Sequence, residues 1–117
     1  MLIVCISVLN IFGIITSEAI AQVPKDSLSQ MEIAFDGHYT RAQIKQRIER
    51  AMDLYNLSKT QENYFRAGSV LVGLRKSTGQ NEMDILDYMI RSYVPGIEMS
   101  FADIAAISAV FLQTGAR

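Results

Sequence analysis

The 117-residue chain has few of the residue types that build covalent or metal sites. It contains one cysteine, Cys5, one histidine, His38, and no tryptophan. A disulfide within the chain needs two cysteines, and structural zinc sites need clustered cysteine and histidine. Calcium-loop spacing is missing as well. The fold must therefore depend on its apolar core, and no metal ligand or cofactor-binding residue is assigned.

Catalytic motifs and an excess of one charge are also missing. The sequence has no Gly-x-Ser-x-Gly, no phosphate-binding glycine loop and no His-Glu-x-x-His. Beyond residue 22 it carries 11 Lys and Arg against 11 Asp and Glu. A neutral domain lacks the basic surface on which nucleic acid binding depends. No catalytic residue is assigned, and nucleic acid is not expected as a partner.

The N-terminal segment is the longest apolar run. Residues 1–15 contain no charge and only two polar side chains, Ser7 and Asn10. Small residues at Ala19 and Ala21 follow, a layout typical of a secretory signal peptide cleaved after Ala21. Residues 1–21 are therefore predicted to be a signal peptide, and the protein is predicted to be exported, to a periplasm or outside the cell.

Two alternatives for this segment stay open, because no Lys or Arg precedes the apolar run. It could be an apolar helix of the folded domain, or a retained membrane anchor. About 16 apolar residues fall short of the roughly 20 that span a bilayer, so cleavage is preferred to anchoring.

Residues 22–38 read as a polar arm ahead of the helical domain. Within it Met31, Ile33 and Phe35 alternate with Glu32 and Ala34. Alternation with period two is typical of a strand. The arm is therefore predicted to be a short strand or an extended segment over the core.

Residues 39–117 carry four helical patterns. Each begins with a capping residue followed three positions later by a side chain that can reach back; the pairs are Thr40–Gln43, Ser58–Gln61, Asn81–Asp84 and Ser100–Asp103. Each ends at a residue typical of helix termini, namely Asn56, Gly79, Pro95-Gly96 and Gly115. The predicted helices run over 41–55, 59–78, 82–93 and 101–113. Short connections favour antiparallel neighbours, so the fold class is all-α, a four-helix up-down bundle.

Helical spacing assigns a buried face to each helix. On the second helix this face includes Tyr64 and Phe65, with small residues at Gly68, Ser69 and Gly73 that would let a neighbouring backbone approach. On the third, Asp87 and Arg91 lie four residues apart on the outer face. They are predicted to form an ion pair.

The fourth helix is unusually apolar. Between Asp103 and Gln113 it has no charged residue. One interpretation is a central helix wrapped by the other three and by the arm. The other is that part of it forms an interaction surface, for which the candidate residues are Ala106, Val110, Ile107 and Phe111. Membrane contact is confined to residues 1–21 or to this helix.

The sequence favours a small exported helical protein of unknown function, acting as a non-catalytic protein-interaction module or a homo-oligomer. Its partner is an unidentified protein or a second copy. One alternative is a small exported helical enzyme that uses the charged face of the first helix, where Lys45, Glu49 and Asp53 follow one another at four-residue spacing. The other is a cytosolic helical regulator, should the leader not be processed.

Overall fold

A computed structural model describes residues 26–115, which form five helices and no strand. The helices are α1 (Ser27–Ala34), α2 (Arg41–Leu54), α3 (Gln61–Thr78), α4 (Glu82–Arg91) and α5 (Phe101–Gln113). The all-α prediction is confirmed, while the predicted count of four helices is wrong for the described residues. The predicted signal peptide, residues 1–21, and the start of the arm, residues 22–25, lie outside the described residues.

The additional helix, α1, replaces the strand or extended segment predicted within the arm. Asp26 caps it, accepting a hydrogen bond of 2.7 Å from the backbone N–H of Ser29. Leu28, Met31 and Phe35 are buried, whereas Ile33 is 72% exposed. Buried positions spaced by three and four residues follow a helix, so the alternation of Met31, Ile33 and Phe35 was the wrong period to follow.

Local capping fixes most of the remaining helix ends. Thr40 and Gln43 form the predicted capping box, and the Ser100 hydroxyl accepts from the backbone of Asp103. Asn81 caps α4, although its side chain accepts from Met83 rather than from the predicted position 84. Gly79 ends α3 in the left-handed region at φ 78°, where an L side chain is strained.

The start of α3 differs from the prediction. The N-cap is Thr60, whose hydroxyl accepts from Asn63, and not Ser58. The Gln61 side chain, predicted to reach back to Ser58, instead accepts a hydrogen bond of 3.0 Å from the backbone N–H of Ser27. Since Ser27 also donates to the Gln61 carbonyl, the start of α3 holds the start of α1.

Helices α3 and α4 each pack against three other helices. Helix α4 contacts α2, α3 and α5, while α1 packs across α2 and α3. In the predicted up-down bundle, consecutive helices pack against each other. The consecutive helices α2 and α3 instead share few contacts. The largest apolar side chains without solvent exposure come mainly from α2 and α4; they are Ile44, Ile48, Met52, Leu71, Ile85, Leu86 and Met89.

Helix α5 is not the wrapped central helix of one sequence interpretation. It packs on α3 and α4 through a buried face that includes Phe101, Ala105, Ala109 and Leu112. Its opposite side stays open to solvent.

The ion pair predicted within α4 forms elsewhere. Asp87 pairs with Arg47 of α2 at 3.0 Å. Arg91 lies over the ring of Tyr88, with 5.3 Å between the guanidinium carbon and the ring centroid. Tertiary packing thus gives Asp87 a partner from another helix.

Candidate functional site

An open, mostly apolar groove of about 360 Å³ lies between α1 and α3. We call it the α1–α3 groove. Met31 and Ala34 line it from α1, and Phe65, Ser69 and Gly73 line it from α3. Lys76 lies at the end near the C-terminus of α3. The groove can bind an apolar segment, such as a helix face, because it is concave and has few polar atoms.

Small residues of α3 give the groove its depth. A Cβ at Gly68 would lie 3.0 Å from the Cγ of Met31, so glycine lets α1 approach closely. A Cβ at Gly73 would meet nothing within 4 Å. Gly68, Ser69 and Gly73 were predicted to let a neighbouring backbone approach; Gly68 is met by the Met31 side chain, whereas no other described helix comes within 4 Å of a Cβ at Gly73. Gly73 and Ser69 face the open groove.

Phe65 stands at the rim of the groove and is 59% exposed, although it was predicted to point inward. The interior face of α3 is set by Tyr64, Ala67 and Leu71, which are buried at helical spacing. Since adjacent helical positions differ by about 100°, Phe65 cannot share that face with Tyr64. Counting the apolar positions strictly by three and four residues would have found this exposed aromatic ring.

A polar network around the buried Glu82 holds the C-terminal end of α1 against α3 and α4. Arg75 pairs with Glu82 at 2.7 Å, and Glu82 also accepts from the backbone N–H of Asp36 at 3.1 Å. A second guanidinium nitrogen of Arg75 donates to the Ala34 carbonyl at 3.2 Å. The Asn81 side chain donates to the Asp36 carbonyl at 2.7 Å. These bonds fix the wall that α1 contributes to the groove.

Tyr64 ties α3 to α2 beside the groove. Its ring is buried, and its hydroxyl donates a hydrogen bond to a carboxylate oxygen of Glu49. Burial, together with the hydrogen bond and the charge of Glu49, raises the pKa of Tyr64 to about 12. The residue therefore stays a neutral donor at physiological pH, as a structural contact requires.

The interaction surface predicted on α5 is partly open; we call it the α5 surface. Val110 is 48% and Phe111 46% exposed, whereas Ala106 and Ile107 are half-buried. The Phe111 ring packs against Tyr88, with 6.1 Å between ring centroids. The α5 surface therefore consists of residues on the outer side of α5. None of them lines the α1–α3 groove.

The charged face of α2 does not form one pocket from the residues singled out for an enzyme. Glu49 is bound by Tyr64, and Asp53 pairs with Lys59. An open surface groove of about 510 Å³ does lie beside this face, and Arg47 and Asp87 contribute to it as an ion pair. The remaining lining residues are Gln46, Arg50, Ile90 and Arg91. Neither Glu49 nor Asp53 lines this groove. The charged residues predicted at four-residue spacing on α2 therefore do not meet in one pocket.

Membrane spans and metal sites are two further possibilities within residues 26–115. None of the described helices combines the length and apolar character needed to cross a bilayer. Among the same residues, no three His, Cys, Asp or Glu side chains come together as a metal site would require.

No family model matches the chain, and no curated protein or solved structure is detectably similar to it.

Proposed function

We propose that this protein is a non-catalytic protein-interaction module that acts after export, and that its binding surface is the α1–α3 groove. The observation that carries the proposal is the groove itself, which combines an exposed Phe65 with the small residues Ser69 and Gly73 on one side of α3. Exposed aromatic residues beside a concave apolar surface are typical of binding sites.

The groove is a better candidate than the α5 surface for physical reasons. It is concave, so an inserted side chain would be contacted on several sides, whereas Phe111 on α5 already packs against Tyr88. It is also fixed, because the Arg75–Glu82 pair holds the end of α1 in place. A preformed site loses less conformational entropy on binding.

Photo-cross-linking in the producing cell tests the proposal. A benzophenone amino acid would replace Ser69 in the groove, and, as the matched control, Lys45 on the exposed face of α2. We expect a discrete adduct from position 69 and none from position 45, with the attached peptide identified by tandem mass spectrometry. Absence of any adduct at position 69, or equal labelling at both positions, would overturn the proposal.

Export has a separate test. Cells expressing the full-length chain would be fractionated, and the intact mass of the product measured. We expect a mass that matches residues 22–117 in the exported fraction. An unprocessed chain in the cytosol would contradict export and favour the regulator alternative, while leaving the cross-linking result to decide on binding.

A further inference from the structure

The exposed face of α3 is complementary to itself when two copies run antiparallel. Phe65 and Gly73 lie four residues on either side of Ser69, and Glu62 and Lys76 lie seven residues on either side. Each of these residues on one side of Ser69 therefore has a counterpart at the same distance on the other side. From these observations we propose that the occupant of the α1–α3 groove is the α3 helix of a second copy, related by a two-fold axis at Ser69. This inference rests on the proposed function, because it names the partner of that groove.

Shape is the first argument. Residues 65, 69 and 73 form a ridge with four-residue spacing, and two such ridges interdigitate when helices cross at about −50°. In the antiparallel pair, Phe65 of one copy would lie beside Gly73 of the other, about 6 Å from the axis. Phe65 is 59% exposed, and the space above Gly73 is open. The bulkiest residue of the face would therefore occupy the open space above Gly73, twice in each dimer.

Charge is the second argument. Glu62 and Lys76 are both exposed and lie about 10 Å from the axis at opposite ends of the face. An antiparallel pair brings Glu62 of each copy within side-chain reach of Lys76 of the other. Within the described residues Lys76 has no ion-pair partner, and Glu62 pairs only with Arg66 on its own helix. A parallel pair would instead place like charges together, so the charges select the antiparallel arrangement.

A closed two-fold dimer would cover the exposed groove of both copies within a single pair. The same patch serves both copies, so each contact is used up in the pair. The monomer needs no rearrangement, since α1 and the face of α3 are already held by the Tyr64–Glu49 and Arg75–Glu82 contacts.

Charge-reversal variants test the inference by sedimentation equilibrium on the product of the full-length chain. Lys76→Glu breaks no ion pair in the described monomer, and Glu62→Lys breaks only the exposed pair with Arg66. Each variant alone turns two attractive contacts per dimer into repulsive ones. We expect self-association to weaken roughly tenfold in each.

Mixing the two variants in equal amounts provides the internal rescue. The heterodimer pairs two lysines on one copy with two glutamates on the other, so association should return to the wild-type level. Lys45→Glu, a reversal on the exposed face of α2, is the matched control and should have no effect. Circular dichroism melts would show that all variants remain folded.

A size variant gives a second measurement. Gly73→Gln fills the space that Phe65 of the other copy would occupy, while its Cβ meets nothing in the monomer. We expect a higher melting temperature at a concentration where both proteins are monomeric, because glycine disfavours helices, and self-association at least tenfold weaker at higher concentration. A gain in fold stability with a loss of association cannot come from misfolding.

Three results would overturn the inference. One is a wild-type protein that stays monomeric at about 0.1 mM, a concentration far above that needed for a specific dimer. Another is a dimer indifferent to Glu62→Lys, Lys76→Glu and Gly73→Gln; the last is a failure of the mixed variants to associate. An adduct of position 69 with a different protein, from a chain that is itself monomeric, would refute the second copy as occupant and leave the proposed function standing.

Discussion

Arg75 and Glu82 form an ion pair of 2.7 Å in which the carboxylate is fully buried and 26% of the arginine side chain is exposed. The pair joins the end of α3 to the start of α4. Because Glu82 also accepts from Asp36, and Arg75 also donates to Ala34, the same pair holds the C-terminal end of α1. The wall that α1 contributes to the groove therefore depends on the Arg75–Glu82 pair, although neither residue lines the groove.

The exposure difference within this pair predicts unequal effects of removing each partner. Arg75→Met would leave the buried Glu82 carboxylate without its countercharge, which costs about 3–5 kcal/mol of folding free energy. Glu82→Gln leaves an arginine that water can still reach, and should cost about 1–2 kcal/mol. Urea unfolding monitored by circular dichroism would measure both, and equal losses would contradict the burial seen for Glu82.

The two helical glycines of α3 predict opposite responses to alanine. In the monomer, Gly73→Ala should stabilise the fold by about 1 kcal/mol, because the added methyl meets nothing there and alanine favours a helix. Gly68→Ala places its methyl 3.0 Å from Met31, so packing strain should cancel that gain or reverse its sign. Melting temperatures of the two variants provide the comparison. A clear stabilisation by Gly68→Ala would show that α1 does not pack closely on α3.

Tyr64 predicts a loss of stability at alkaline pH. Its pKa is raised to about 12, chiefly by burial, so the folded state binds the proton more tightly than the unfolded state does. Its contribution is therefore fully present below the ordinary tyrosine value of about 10 and is lost as pH rises towards 12. Melting temperatures from pH 9 to pH 12 should fall more steeply for the wild type than for Tyr64→Phe.

At neutral pH the same Tyr64→Phe substitution removes the hydrogen bond to Glu49, which we expect to cost about 1 kcal/mol. Other tyrosines and lysines titrate in the alkaline range, so the difference between wild type and variant is the informative quantity. Parallel curves would mean that Tyr64 is not the residue responsible.

The α5 surface can be tested by neighbouring substitutions. Val110 is 48% exposed, so Val110→Asp should leave the fold intact, whereas Ala109 is fully buried and Ala109→Asp should unfold the protein. Because the proposed dimer uses α3, self-association of Val110→Asp should equal that of the wild type. A folded Val110→Asp variant that no longer associates would place the interface on α5, as the sequence pattern first indicated.

Local sequence signals predicted where most helices begin and end. Caps act over three or four residues, so Thr40 with Gln43, Ser100 with Asp103, and Gly79 at the end of α3 could be identified without a fold. The same local signals gave the all-α class. They also existed for α1, in the helical spacing of Leu28, Met31 and Phe35, although the alternation around Ile33 concealed them.

Several side-chain contacts depend on the tertiary structure. Gln61 bonds to Ser27 rather than to its own cap, Asp87 pairs with Arg47 rather than with Arg91, and Glu82 is buried against Arg75. The first two contacts join segments that lie far apart along the chain, and the third depends on the burial of Glu82. A local sequence pattern contains no information on distant contacts or on burial. For the same reason the sequence could identify Phe65 and Gly73 as apolar and small, while only the packing of α1 across α3 left them together on an open groove.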